Sequence, residues 1–512
     1  MSQSPDHIQK IARSGGLSMA GAAVSAVAGV LLVIVITRGL DKQQAGTIFT
    51  TTSLFLVAMA IVQLGADVGL VRWLPNLFAT ESEHNVTATL KAAFIPVLAL
   101  SLVVGMGAIA TAPLVADLFG SDYSSAISKQ LMVLGAFLPI AAIYNLVLAA
   151  TRAFRTMRPT VLVDSVGRYL TQLGLVFAVS ALGLGSVAFV VAWATPYPFA
   201  LGAAGAWLMV LMRRSLRSAR ANGRPERAAD PDMASQFWRY TTPRGVATIA
   251  QTLLKRSDII LVAALTKDPA QTALYAAATR FVVFGQLAVQ ALQLALAPQM
   301  SATLARGEKD MAQDVYRTTT AWAMVLAWPV YIASAVLAPW LLMIFSRSYS
   351  QAAPVVVILS LAMLVATACG SVDTVLLMAG RSWLSLLNTG IALVVNLGLN
   401  FVLIPKIGIV GAAISWAIAI LIRNFLPLGM INKMLGMSPF GSGSAWVAVS
   451  AVACVGVVPT SLRLLDAPFS AVLAAVLVGG IFYLAAIWWG RDRIHLGAFR
   501  AVLGRRRTAA TA

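Results

Sequence analysis

Residues 111–126 read TAPLVADLFGSDYSSA, and residues 337–352 read LAPWLLMIFSRSYSQA. Aligned without a gap, Ala112, Pro113, Phe119, Tyr123, Ser124 and Ala126 coincide with Ala338, Pro339, Phe345, Tyr349, Ser350 and Ala352. The offset of 226 residues returns approximately elsewhere. Pro96 and Pro329 each lie inside an apolar stretch, Arg158 and Arg381 precede one, and Gly183 and Gly408 precede another. A self-similarity at one period marks two copies of one structural unit.

The apolar stretches say what the unit is made of. A helix rising about 1.5 Å per residue crosses a hydrocarbon core of about 30 Å in roughly 20 residues. Fourteen windows of that kind are present: 15–37, 47–69, 91–117, 128–150, 161–181, 186–212, 238–264, 271–297, 316–342, 352–376, 383–404, 408–430, 443–462 and 468–489. Of the 512 residues, 59% are hydrophobic and only 11% charged. An average soluble domain has about 25% charged residues, and a soluble fold of this size would have more polar surface to cover than so few charges allow. The expected class is therefore an all-α integral membrane protein. The first apolar stretch is too long for a cleaved leader and is expected to be the first span.

Spans 1–6 and 7–12 are the two copies. Six is even, so both copies have the same orientation and are expected to be related by an axis along the membrane normal, a plan common among secondary transporters. Spans 13 and 14 stand outside the repeat. The expected organisation is a six-helix bundle over 1–212, a basic linker over 213–237, a second six-helix bundle over 238–432, and two extra helices with a basic tail over 433–512.

The net charge of +19 has two readings. Nucleic-acid binding is one, and the placement of the charge favours the other. Arg152, Arg155 and Arg158 share one loop; Arg213, Arg214, Arg217, Arg220, Arg224 and Arg227 fill the linker; Arg505, Arg506 and Arg507 lie in the tail. Alternate loops hold few basic residues. Such asymmetry orients a membrane protein, so both termini and the linker are expected in the cytoplasm, where the arginines meet anionic headgroups. Nucleic acid is not an expected partner; membrane lipids are.

Several local signals are set aside. Cys369 and Cys454 lie in apolar stretches with no ligand spacing, and His7, His84 and His495 are scattered, so no metal or cofactor is expected. Asp230-Pro231-Asp232 has the D-x-D form of metal-dependent glycosyltransferases but sits in a short basic linker. Asn85-Val86-Thr87 fits the glycosylation pattern in a loop expected to be cytoplasmic.

The charges inside the spans are Asp67, Asp164, Arg168, Arg244, Lys255, Arg256, Asp258, Arg280 and Asp373. Each costs at least about 2.5–3.5 kcal/mol at a helix centre unless it meets a partner or a cavity. On a helix, neighbours lie three or four residues apart, so Asp164 can pair with Arg168 and Lys255 with Asp258, and Arg256 cannot pair with Asp258. Arg280 has no acid at those spacings on its own helix. Neutralisation for insertion explains the pairs. The gathering of Lys255, Arg256 and Arg280 on consecutive spans instead suits a cationic pocket for a phosphate or carboxylate, for which arginine is well shaped. The candidate substrate-binding set is Arg280, Lys255, Arg256, Asp258, Arg168, Asp164 and Asp67. Gly21, Ser25 and Gly29 make one smooth face of the first span, for close packing or for a cavity wall.

Several stretches resemble a known family: ITRGLDKQQAGTIFTTTSLF and GADVGLVRWL around spans 1 and 2, KRSDIILVAALTKDPAQTALYAAATRF across spans 7 and 8, and IGIVGAAISWAIA opening span 12. Over spans 1–12 the chain resembles bacterial polysaccharide flippases of the multidrug/oligosaccharidyl-lipid/polysaccharide exporter superfamily, and its fourteen-helix count is similar to that of the lipid II flippase branch. The resemblance implies a V-shaped pair of six-helix bundles. It also implies a cationic cavity lined by spans 1, 2, 7 and 8, and movement of a polyprenyl-diphosphate-linked sugar between leaflets of the bacterial plasma membrane. A polysaccharide polymerase or glycosyltransferases are the implied partners. One departure stands out: the lipid II flippases carry arginine in span 1, and the core of this span 1 has no charge, which points to a different lipid-linked sugar. Two rival functions remain. A cation-coupled multidrug exporter of the same superfamily needs an acid in the first bundle, where only Asp67 and Asp164 qualify. A membrane-embedded glycosyltransferase or ligase needs a large outward loop with catalytic carboxylates or histidine, and every expected outward loop is short. An enzyme is not expected.

Overall fold

The structure, a computed structural model, describes residues 5–80, 82, 85–154, 156–221 and 230–494. His84, Arg155, Arg224, Arg227 and the tail with His495, Arg505, Arg506 and Arg507 lie outside the described residues. Helices α1 (Pro5–Gly39), α2 (Lys42–Gln63), α3 (Ala66–Ala79), α4 (Val86–Ala110), α5 (Ala112–Asp117) and α6 (Ser124–Ala153) come first. A π-helical segment, Thr160–Arg168, then runs into α7 (Tyr169–Ala181), followed by α8 (Ser186–Ala194), α9 (Pro196–Ala221) and α10 (Met233–Thr266). Beyond these lie α11 (Pro269–Ala278), α12 (Arg280–Ala305), α13 (Lys309–Val336), α14 (Ala338–Met343), α15 (Ala353–Ala368), α16 (Val372–Met378) and α17 (Ser382–Leu435). The chain closes with α18 (Ser442–Ala451), a second π-helical segment (Val452–Val457), α19 (Val458–Leu464) and α20 (Phe469–Trp489).

The protein is an all-α integral membrane protein. Among the described residues, ten helices are long and apolar enough to cross a membrane. One of them, α17, is 54 residues long and breaks at Ile407 and Gly408, so it supplies two of the expected spans. The three expected spans not among the ten, 161–181, 238–264 and 271–297, are helical too, and each carries intramembrane charge.

The repeat in the sequence is also a repeat of local geometry. The six-residue helices α5 and α14 both open on Ala-Pro, and each is followed by a 3-10 turn, Ser121–Tyr123 and Arg347–Ala352. Phe119 and Phe345 are both buried. Gly183 and Gly408 both have positive φ, 65° and 57°, which a residue without Cβ adopts without strain. Pro96 lies inside α4 and Pro329 inside α13.

The chain divides into two compact units, residues 10–273 and residues 274–512 with the first nine. In the first, α6 is central and packs against α2, α3, α4, α8 and α9. The core around Ala112, Ala116, Phe119, Ile127 and Leu131 also takes in Ala263 of α10. The first unit therefore continues past the 213–237 linker. Glycine allows this: a Cβ on Gly65 would stand 2.6 Å from the Gly245 Cα, and one on Gly245 would collide with the Leu64 carbonyl. The start of α10 is tied down as well. Asn85 is buried and its Oδ1 accepts the Asp230 backbone N–H at 2.9 Å. Asp230 in turn accepts from the Asp232 N–H at 2.9 Å and from Gln236 Nε2 at 3.2 Å, so the D-x-D segment closes the turn into α10. In the second unit α13 packs against α12, α15 and α18, and a core of Met324, Val336, Val447, Val455 and Val472 joins α13 to the last two spans.

Candidate functional site

The first unit holds a polar cluster inside a span, built on the π-helical segment Thr160–Arg168. Such segments insert an extra residue per turn and are frequent at functional sites. Widening the turn brings the carbonyl of residue i−5 over residue i. A Cβ on Gly167 would lie 2.8 Å from the Leu162 carbonyl oxygen, so glycine suits that position. Helix α1 packs closely on the same segment: a Cβ on Gly21 would sit 3.0 Å from Val161 Cγ1 and 3.2 Å from Ser165 Cβ. Gly29, eight residues on, has nothing within 4 Å of its Cβ position. The smooth face of span 1 thus packs at one end and is open at the other.

Within the segment, Arg168 Nε donates to Asp164 Oδ1 at 2.7 Å. The Tyr144 hydroxyl, on α6, donates to the same oxygen at 3.1 Å. The Arg168 guanidinium lies over two rings, 4.2 Å from the centroid of Tyr169 and 5.3 Å from that of Tyr197 on α9. Tyr144 and Tyr197 are buried and stack edge to face at 5.9 Å. Arg256, half-buried on α10, interacts electrostatically with Tyr169 as well. Arg168 thus lies over the Tyr169 ring while Arg256 interacts with that residue electrostatically, and the one carboxylate among these groups, Asp164, is already bonded to Arg168.

The other expected site residues fall as follows. Lys255 is exposed and Asp258 is buried on the same helix α10. Asp67 stands in the first turn of α3, where the positive end of the helix dipole favours a carboxylate. Its Oδ1 is buried and accepts no hydrogen bond among the described residues. Arg280 opens α12 and is half-buried, in the second unit. Asp373, also in the second unit, is bound by Arg423 at 3.0 Å and by the Ser385 hydroxyl at 3.3 Å. Sequence reasoning did not reach Tyr144, Tyr169 and Tyr197. The available signal was their position: a tyrosine in an apolar span needs a partner for its hydroxyl.

Residues 243–402 match the MatE family. A curated relative, described as the probable low-salt glycan biosynthesis flippase Agl15 of Haloferax volcanii, is 24% identical over 184 residues. That match takes in 36% of this chain and 39% of the relative. Among solved structures, the lipid II flippase MurJ in an inward closed conformation superposes with a TM-score of 0.68 at 12% identity, covering 92% of this chain and 98% of that one. An inward-facing multidrug resistance MATE family transporter of the MOP superfamily gives 0.66 at 14% identity, covering 80% and 95%. The fold is that of the multidrug/oligosaccharidyl-lipid/polysaccharide exporter superfamily. The MatE segment begins within α10 and runs into α17, so it includes Lys255, Arg256, Asp258 and Arg280. Solved structures with this fold include a lipid II flippase and a multidrug resistance transporter.

Proposed function

We propose that this protein moves a polyprenyl-diphosphate-linked oligosaccharide from the cytoplasmic to the outer leaflet of a bacterial plasma membrane, for assembly of a surface polysaccharide. The observation that carries the reading is the surplus of cation around Tyr169. Arg168 and Arg256 share that residue, and Asp164 offsets only one of them. A positive charge in a low-dielectric span is costly unless water or an anion joins it. A diphosphate supplies the missing charge and suits the planar guanidinium fork. In this reading Arg168, held by Asp164 and the tyrosines, presents a fixed surface. Arg256, next to Lys255 on α10, is the contact that meets the diphosphate. Both termini and the 213–237 linker face the cytoplasm, and a polymerase or glycosyltransferases act on the delivered sugar.

The test is flipping of a fluorescent polyprenyl-diphosphate oligosaccharide in proteoliposomes. Arg256→Gln is expected to slow it about tenfold or more, on the scale of one lost charged hydrogen bond, and Lys is expected to restore part of the rate. Unchanged flipping in both Arg256→Gln and Lys255→Gln would overturn the reading.

A second reading has one observation in its favour. Asp67 is an acid of the first bundle with a buried oxygen that accepts no hydrogen bond among the described residues, as the coupling site of a cation-driven drug exporter requires. Asp67→Asn separates the two. It abolishes ion-driven export of a hydrophobic cation under this second reading and leaves lipid-linked sugar flipping intact under the first.

A further inference from the structure

A second cationic cluster lies at the far end of α10 from Lys255 and Arg256. The Arg72 guanidinium, near the middle of α3, lies 4.4 Å from the centroid of the Tyr240 ring and donates through Nη1 to the Tyr240 hydroxyl. The Arg244 guanidinium lies 4.7 Å from the same centroid. Trp73 leans on the ring at 5.9 Å and donates its indole N–H to the Met233 sulfur at 3.2 Å. Trp238 donates to the Ala92 carbonyl at 3.0 Å. Both arginines are exposed, and among the described residues neither forms an ion pair.

We propose that Arg72, Tyr240 and Arg244 form a binding site for the phosphate of a lipid, at the headgroup level of the bilayer. Three features lead there. Tryptophans and tyrosines cluster at the membrane interface, and Trp73, Trp238 and Tyr240 place these arginines at that depth. Two like charges held around one ring, with no carboxylate between them, favour an anion that reaches both. The Tyr240 hydroxyl accepts from Arg72 and so keeps its own proton for a further oxygen. The forks are also held in place before any ligand arrives. Stacking on the ring orients them, and the ring is positioned by the contact of α10 with α3, where Gly69 leaves room for Thr241 and Gly65 for Gly245. A preorganised fork loses less side-chain freedom on binding than a free surface arginine. The phosphate can belong to a bilayer phospholipid or to a lipid-linked diphosphate; the site recognises what they share. The inference stands apart from the transport reading, since it concerns binding at another place on α10.

Native mass spectrometry of the full chain, with phosphatidylglycerol, undecaprenyl diphosphate and uncharged diacylglycerol as probes, tests it. In Arg72→Gln with Arg244→Gln, one tightly held phosphate-bearing lipid per chain should be lost, with affinity at least about tenfold lower, and diacylglycerol should be unaffected. Loss confined to undecaprenyl diphosphate assigns the site to that carrier; loss confined to phosphatidylglycerol assigns it to the bilayer; loss of both assigns it to the shared phosphate. Arg72→Lys with Arg244→Lys keeps the charge and loses the fork, and should bind several-fold more weakly at an unchanged melting temperature. Wild-type stoichiometry and affinity for both phosphate lipids in either variant would overturn the site.

Discussion

Gly245→Ala sets two effects of opposite sign against each other. In a helix interior, replacing glycine by alanine stabilises by about 0.5–1 kcal/mol, because the unfolded glycine is freer. Gly245 lies well inside α10, so propensity alone predicts a more stable protein. The packing predicts the reverse. A Cβ there would collide with the Leu64 carbonyl and stand 3.0 Å from the Gly65 nitrogen. These atoms are backbone, and they belong to the left-handed turn that joins α2 to α3, with φ 47° at Leu64 and 78° at Gly65. No rotamer change relieves the clash, so α10 must move away from the turn. Forced overpacking of this kind costs about 1–3 kcal/mol, which exceeds the propensity gain. The expected net loss of about 1–2 kcal/mol lowers the melting temperature by roughly 2–4 °C per kcal/mol, read by intrinsic fluorescence of the detergent-purified chain. Gly202→Ala is the control. It lies inside α9 with nothing within 4 Å of its Cβ position, and should melt at or above the wild type. Should Gly245→Ala melt no lower than Gly202→Ala, the close approach of α10 to the α2–α3 turn would be wrong.

Two further outcomes are expected. Asp164→Asn or Arg168→Gln alone leaves one buried charge without its partner, a loss of about 3–5 kcal/mol for a fully buried pair and less here, where Asp164 is 26% exposed; the double variant should regain membrane levels and yet not flip the lipid-linked sugar, and a double variant that flips normally would reduce the pair to an insertion device. In a cysteine-free background, cysteines at Ser121 and Ser218 should label from opposite sides of intact cells, Ser121 from outside, and outside labelling of Ser218 would reverse the proposed orientation.

Much of this architecture was legible in the residues. Apolar stretches of bilayer length specify their own backbone bonding, because no other partner exists in hydrocarbon, so the spans follow from composition alone. The duplicated Ala-Pro, Phe and Tyr positions carried the repeat, and both copies have the same short helix and 3-10 turn. The pairing of Asp164 with Arg168 followed from helical spacing, which survives even a π-helical turn. None of this needs knowledge of which helix stands beside which.

The remainder depended on neighbours brought together from far apart in the chain. Tyr144, Asp164, Arg168 and Tyr197 meet because α6, the π-helical segment and α9 pack together, and no local pattern records that. The placing of α10 in the first unit turns on Gly65 and Gly245, two residues whose importance is the absence of a side chain. Arg72 and Arg244, 172 positions apart, share one tyrosine ring for the same reason. Hydrophobicity and helical period are short-range properties, and a chain displays them residue by residue. Which cation faces which ring depends on how closely two backbones approach, and that distance is decided only when the helices pack.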